Sequence, residues 1–142
     1  MSDNATQTKL IAKIMRDLDF CMFTTITTSG HLSARPMSNN RNVEYDGDVW
    51  FFSPSDSRLV KELQQNPHTQ LSYMDTQQFR FISMSGSTEI VHDINKKRAL
   101  WGKSMEQWFP DGPDSEDVVL LKVRPSVIAY WTGEGDGEIT VE

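Results

Sequence analysis

Short runs of β-branched and aromatic residues, each closed by a turn signal, recur along most of this chain and limit what it can fold into. Cys21–Thr28 is dense in Thr and Phe and predicts a strand. Ser29-Gly30 predicts a hairpin turn, with His31–Ser38 as the returning strand. Asp46-Gly47 predicts a second tight turn, which would pair Asn42–Tyr45 with Val49–Phe52. Thr69–Met74 and Phe79–Val91 predict two more strands. In the second of these, Ile82, Met84 and Ile90 share a face by alternation, and Gly86 predicts a bulge or bend. Val118–Val123 and Val127–Trp131 predict two closing strands around Arg124-Pro125.

Three segments carry helical spacing instead. Thr6–Leu18 sets Leu10, Ile11, Ile14 and Leu18 on one side. Ser57–Gln65 turns Leu59, Val60 and Leu63 inward, and Pro67 stops it. Asp93 predicts the cap of a third helix, in which Ile94, Trp101, Met105 and Trp108 recur as a stripe. Simple core packing is the expectation for Ile94 and Met105. Phe109–Pro113 reads as a loop, and the Gly-rich acidic stretch 133–142 as a flexible tail. At least six strands with short turns and few helices predict a mainly β, α+β domain. The expected architecture is a small antiparallel barrel carrying a few helices, filling residues 1–132. The regular strand–helix alternation of a doubly wound sheet is missing, as are the Gly-rich phosphate loops of dinucleotide and nucleoside triphosphate sites.

Composition narrows the functions. With 20 acidic and 14 basic residues the net charge is -6, which argues against a general nucleic-acid binder. Met1 to Lys9 is polar with no apolar run behind it, and no stretch is long and apolar enough to span a bilayer. A cytoplasmic protein without a membrane partner is the expectation. Cys21 is the single cysteine, so no internal disulfide or cysteine-rich zinc site is available, and it reads as a buried thiol. His31, His68 and His92 lie in no metal-ligand spacing, and no metal is expected.

The chemistry concentrates in Gly47–Asn66, an apolar strand, a Ser-rich turn and a helix. A helix N-terminus leaves free N–H groups and a partial positive charge, and so favours an anion. Ser53, Ser55, Ser57 and Arg58 surround that end and would complete a phosphate site. The plainer reading is that Ser57 caps the helix and Arg58 is solvated. Upstream, Ser33, Arg35 and Met37 share a strand face by alternation, and Pro36 predicts an edge or bulge. An Arg and a Met on one face suit a ligand with a phosphate at one end and an apolar plane at the other. A surface Arg beside a buried Met is the plainer reading here too.

Taken together these motifs are more specific. Ala-Arg-Pro-Met at 34–37, Gly-Asp-Val-Trp-Phe-Phe-Ser at 47–53 and Ser-Asp-Ser-Arg at 55–58 resemble the pyridoxamine 5′-phosphate oxidase-like family of FMN-binding split barrels. Trp101, the Trp108–Pro113 stretch and Tyr130-Trp131 extend the likeness to the general stress protein 26 group, over about residues 8 to 132. That resemblance implies a six-stranded antiparallel split barrel with flanking helices, and a homodimer with FMN in a cleft between subunits. It implies that Arg35, Ser57 and Arg58 hold the phosphate. Met37 and Asn40 would meet the flavin ring, Pro36 would join the cofactor contacts beside Met37, and Phe52 and Ser53 would line the ring and ribityl chain. Trp108 or Trp131 would cover the cleft. FAD and the deazaflavin F420 are the alternative cofactors, with haem last for want of an axial ligand.

Three departures qualify the likeness. Leu59 stands where the family commonly has Lys, and Lys61 comes two positions later, which predicts a missing phosphate contact. Asn40 stands where the true oxidase has Lys, and the chain ends Thr-Val-Glu where the oxidase has an Arg-Leu-x-Pro motif. The last two argue against pyridoxine phosphate as substrate. The resemblance leaves two functions: an FMN-dependent oxidoreductase drawing on a nicotinamide donor, or a non-catalytic protein that buffers flavin under stress. No catalytic side chain is predicted.

Overall fold

The structure, a computed structural model, describes residues 4–39 and 45–141. The chain forms a mainly antiparallel β sheet with three α-helices. The elements run α1 (Asn4–Arg16), β1 (Phe20–Ile26), β2 (Leu32–Ser38), β3 (Val49–Pro54), α2 (Arg58–Gln65), β4 (His68–Asp75) and β5 (Arg80–Val91). Then come α3 (Ile94–Leu100), a 3-10 turn (Lys103–Gln107), β6 (Val118–Thr132) and β7 (Gly135–Thr140). The sheet order is β2-β1-β4-β5-β6-β3, with β7 added beside β6.

Two long strands shape the sheet. The first half of β6 pairs with β3, and its second half with β7. β5 runs along both halves, and its register slips between Ser85 and Gly86. At that point a Cβ on Gly86 would collide with the Arg124 carbonyl, so only glycine lets the two backbones approach. The slip bends both strands and turns one ladder into two half-sheets facing a shared interior. Ile82, Met84 and Ile90 still reach that interior together, joined by Phe23, Phe51, Leu71, Leu121 and Ile128. α1 contributes Ile11 and Ile14, both fully buried, and its last carbonyls are capped by the Asn39 amide, at 2.6 Å from Met15 O and 2.9 Å from Leu18 O.

A second, smaller cluster lies on the other face of β3. Phe52, Val118 and Leu120 form it, with Trp50, Trp101, Met105 and Phe109 packed against them. α3 reaches it from a cap in which Asp93 accepts from the amides of Asn95 and Lys96. Lys97 is buried there, near enough to Asp114 to help hold that carboxyl below its ordinary range. Its ammonium donates to the carbonyls of Ser115 and Val118 at 2.9 and 2.8 Å, which satisfies it and pins the loop before β6.

The first hairpin, the Ser57-capped helix, the buried Cys21 and the bulge at Gly86 match the sequence expectations. Three others need correction. The two closing strands are one continuous strand, β6, because Arg124-Pro125 sits opposite the bulge and bends the ladder without ending it. The segment expected as a flexible tail forms β7 in its residues 135–140, with Ile139 buried in the main core. That makes seven strands where six were expected. The third helix stops at Leu100, since Gly102 breaks it and a 3-10 turn follows, so the Ile94–Trp108 stripe is not one face. Ile94 is accordingly exposed, not core. The expected strand Asn42–Tyr45 falls mostly outside the described residues, and β3 pairs with β6.

Candidate functional site

The turn from β3 into α2 places the polar residues of the site. Ser53 ends the inward row of β3, buried, and its hydroxyl lies 2.9 Å from that of Ser57. Ser57 in turn accepts from the Val60 amide at 3.1 Å, which makes it the N-cap of α2. The amides of Arg58 and Leu59 have no intrahelical acceptor, as in the first turn of any helix. They follow directly on Ser57 in the chain, next to the Arg58 side chain, which is 82% exposed.

β2 approaches from the other side. Ser33, Arg35 and Met37 face inward along it while Ala34, Pro36 and Ser38 face out, as alternation predicts. Arg35 is held by four acceptors. Its Nη1 donates to Phe23 O at 3.2 Å and to Thr25 Oγ1 at 2.9 Å. Its Nη2 donates to Ser33 Oγ at 3.4 Å and to Glu62 Oε1 at 2.9 Å. Glu62 lies on the inner face of α2 and is 3% exposed. It also accepts from Thr25 Oγ1 at 2.7 Å, and its second oxygen lies 3.4 Å from Arg58 Nε. One buried carboxylate therefore links β1, β2 and the first turn of α2.

Arg35, Ser53, Ser57 and Arg58 are thus brought together, directly or through Glu62. The other expected site residues lie elsewhere. Met37 packs against the main core, and Pro36 is exposed on the outer side of β2. Asn40 lies outside the described residues. Phe52 points away from the serines into the second cluster, edge-on to Trp101 at 5.1 Å. Trp108 is exposed beyond that cluster, and Trp131 lies on the outer face of the sheet. Leu59, at the position of the family lysine, is buried in the main core, and Lys61 is exposed. A longer cationic side chain at 59 would begin inside the core.

Trp131 borders a groove the sequence did not announce. Phe20 and Met22 of β1, Met74 of β4, Phe81 of β5 and Trp131 wall a depression of about 330 Å³, with Ser72 and Ser83 among its lining. Its signal was present as the outward set of each strand alternation, but that set reads as apolar only after the strands are put in register. Behind it, burial pushes the Cys21 thiol up to about 12, against a contact with the Tyr73 hydroxyl that pulls the other way.

The first turn of α2 has the chemistry to hold a phosphate. Two hydroxyls, two free amides and a mobile guanidinium are the donor set for a phosphate monoester. Two acidic groups oppose it: Glu62, buried behind Arg58, and Asp56, exposed in the turn before Ser57. Among the described residues, no group of three or more His, Cys, Asp or Glu could hold a metal ion. No helix there is long and apolar enough to cross a membrane.

Comparison with known proteins gives the family and the fold. Residues 6–141 match the family described as pyridoxamine 5′-phosphate oxidase like, and the chain belongs to that family. It is 23% identical over 129 residues to protein bli-3 of Neurospora crassa, covering 84% of this chain and 62% of that one. The chain thus spans less than two thirds of that relative. A Clostridium acetobutylicum protein related to general stress protein 26 has the same fold, with a TM-score of 0.83 at 20% identity over 98% of this chain and 97% of its own. A pyridoxamine 5′-phosphate oxidase-related, FMN-binding protein of Nostoc punctiforme superposes with a TM-score of 0.67 at 13% identity, over 100% of both chains. These likenesses make the split barrel the fold of this chain.

Proposed function

We propose that this chain binds FMN as a homodimer and serves as a flavin-dependent oxidoreductase for a small molecule. The observation that carries the reading is the convergence of Ser53, Ser57 and Arg58 on the open first turn of α2, within a family that includes an FMN-binding member. The phosphate lies at that turn, and the ring extends toward the outer sheet face. When bound, the isoalloxazine supplies hydride and electron transfer, and the protein supplies position and electrostatics. No side chain is assigned as a general acid or base.

The second subunit packs on the outer sheet face. Met74 is 64% and Trp131 44% exposed there, beside Phe20, Met22 and Phe81 in one belt. An apolar belt of this kind marks a contact surface. Dimerisation also closes the groove over a flat ligand.

The test is the visible spectrum of the purified protein before and after FMN is added, followed by dialysis and identification of the flavin after denaturation. A retained FMN spectrum with steady oxidation of a nicotinamide donor supports the oxidoreductase. Retained FMN without turnover against a panel of donors and acceptors supports a flavin-buffering protein instead. A colourless protein overturns both.

A further inference from the structure

The arginines of the site are already engaged. Arg35 spends its guanidinium on Glu62, Thr25, Ser33 and the Phe23 carbonyl, and Arg58 leans on the second oxygen of the same carboxylate. Glu62 is nearly inaccessible to water, so its charge is compensated by these neighbours and not by solvent. The oxygens of one buried carboxylate occupy the place of an anion between two cations. The group sits one helical turn below the amides that would receive a phosphate, since Arg58 and Glu62 are four residues apart.

We infer that Glu62 is the built-in counter-ion of the phosphate end, and that flavin-phosphate binding is an exchange of this carboxylate for phosphate on Arg58. The inference rests on the phosphate position proposed above. Two guanidiniums and one carboxylate leave a single net positive charge, against a phosphate monoester carrying about -1.5 to -2 at neutral pH. With a leucine at 59, Arg58 is the cation free to move. Its exposure and its 3.4 Å distance from Glu62 make it the weaker of the two pairings, while Arg35, 22% exposed and held by four acceptors, stays in place. Glu62 thereby lowers phosphate affinity without touching the part of the site that holds the ring. It acts through the arginines and is a positioning residue.

The test compares FMN and riboflavin, which differ only by the phosphate, in flavin-fluorescence titrations of the wild type and Glu62→Gln. Glutamine keeps the volume and an acceptor for Thr25 but removes the charge. FMN should bind about tenfold more tightly to the variant, with a steeper loss in salt, and riboflavin should change by less than about threefold. An FMN-to-riboflavin ratio that is unchanged or reduced would overturn the counter-ion role. Should the glutamine variant fail to fold, Glu62→Asp keeps the charge but draws it back from Arg58, and a smaller gain for FMN alone is expected. A loss of FMN affinity in Glu62→Asp would overturn the inference equally. The two readings fail separately. Wild-type protein that binds FMN and riboflavin alike refutes the phosphate position itself. Wild-type protein that prefers FMN, with no change of ratio in the variant, refutes only the role of Glu62.

Discussion

The first turn of α2 and the groove on the outer sheet face treat exposed chemistry in opposite ways. Around α2 the polar groups are paired inside one chain: serine on serine, serine on amide, two arginines on one carboxylate. On the sheet face five large apolar side chains stand in a belt that a lone subunit leaves open to water. The first region has its side chains paired within the chain, while the amides of Arg58 and Leu59 keep no intrahelical acceptor. The second gains by being covered. A ligand that spans both would be held by charge at one end and by burial at the other, which are terms of different range and different salt dependence.

The comparison breaks most visibly if the apolar belt is made polar. Met74→Asp puts a charge on the exposed face and touches no core residue. It should convert the proposed dimer to a monomer, read by light scattering, while the circular dichroism of the fold is unchanged. Desolvating an unpaired charge costs several kcal/mol, so a dimer that persists unaltered would remove this face from the interface.

Within the α2 cluster, the two arginines should differ. Arg35→Ala leaves buried Glu62 without its closest cation and should lower stability by about 3 kcal/mol in denaturant titrations. Arg58→Ala removes an exposed partner and should cost less than about 1 kcal/mol. Equal losses would mean that the two pairings are not of different kinds. Leu59→Lys sharpens the same point, because it buries a cation in the core. It should destabilise the fold by about 2 kcal/mol or more, and gain no more than a marginal phosphate contact.

A smaller effect concerns pH. Hydrogen bonds from Arg80 hold the Asp75 carboxyl below the ordinary carboxylate range. A lowered folded-state pKa stabilises the fold above the unfolded value and is lost as pH falls through the folded one. Asp75→Asn should therefore cost stability at neutral pH, and the difference from wild type should vanish in strong acid. The smallest effect is at Cys21, where a thiol pushed up to about 12 leaves about one thiolate in ten thousand at pH 8. Native protein should resist alkylation there, and denatured protein should not.

What the sequence disclosed follows from the range of the interactions. The β1–β2 hairpin and the cap of α2 were legible because a Ser-Gly turn and a serine before an amphipathic run act over a few residues. The continuity of β6 was not, because Arg124-Pro125 looks like a break until the bulge at Gly86 is set against it. β7 was hidden by its glycines and acids, and its buried apolar residue is Ile139, opposite Ile128. At the site, Arg35, Ser57 and Arg58 stood out by type and spacing. Glu62 did not, because an acid four residues after an arginine normally marks a solvated helix face. Its burial depends on Thr25 and Arg35, which arrive from two other strands.

The central claim is that the first turn of α2 is the phosphate end of a flavin site, and the ratio of riboflavin to FMN dissociation constants in wild type and Arg58→Ala tests it most directly. Wild-type protein should prefer FMN, and Arg58→Ala should lose about 1.5–3 kcal/mol of FMN binding while riboflavin is held as before. A variant that loses both flavins equally, or neither, would contradict it.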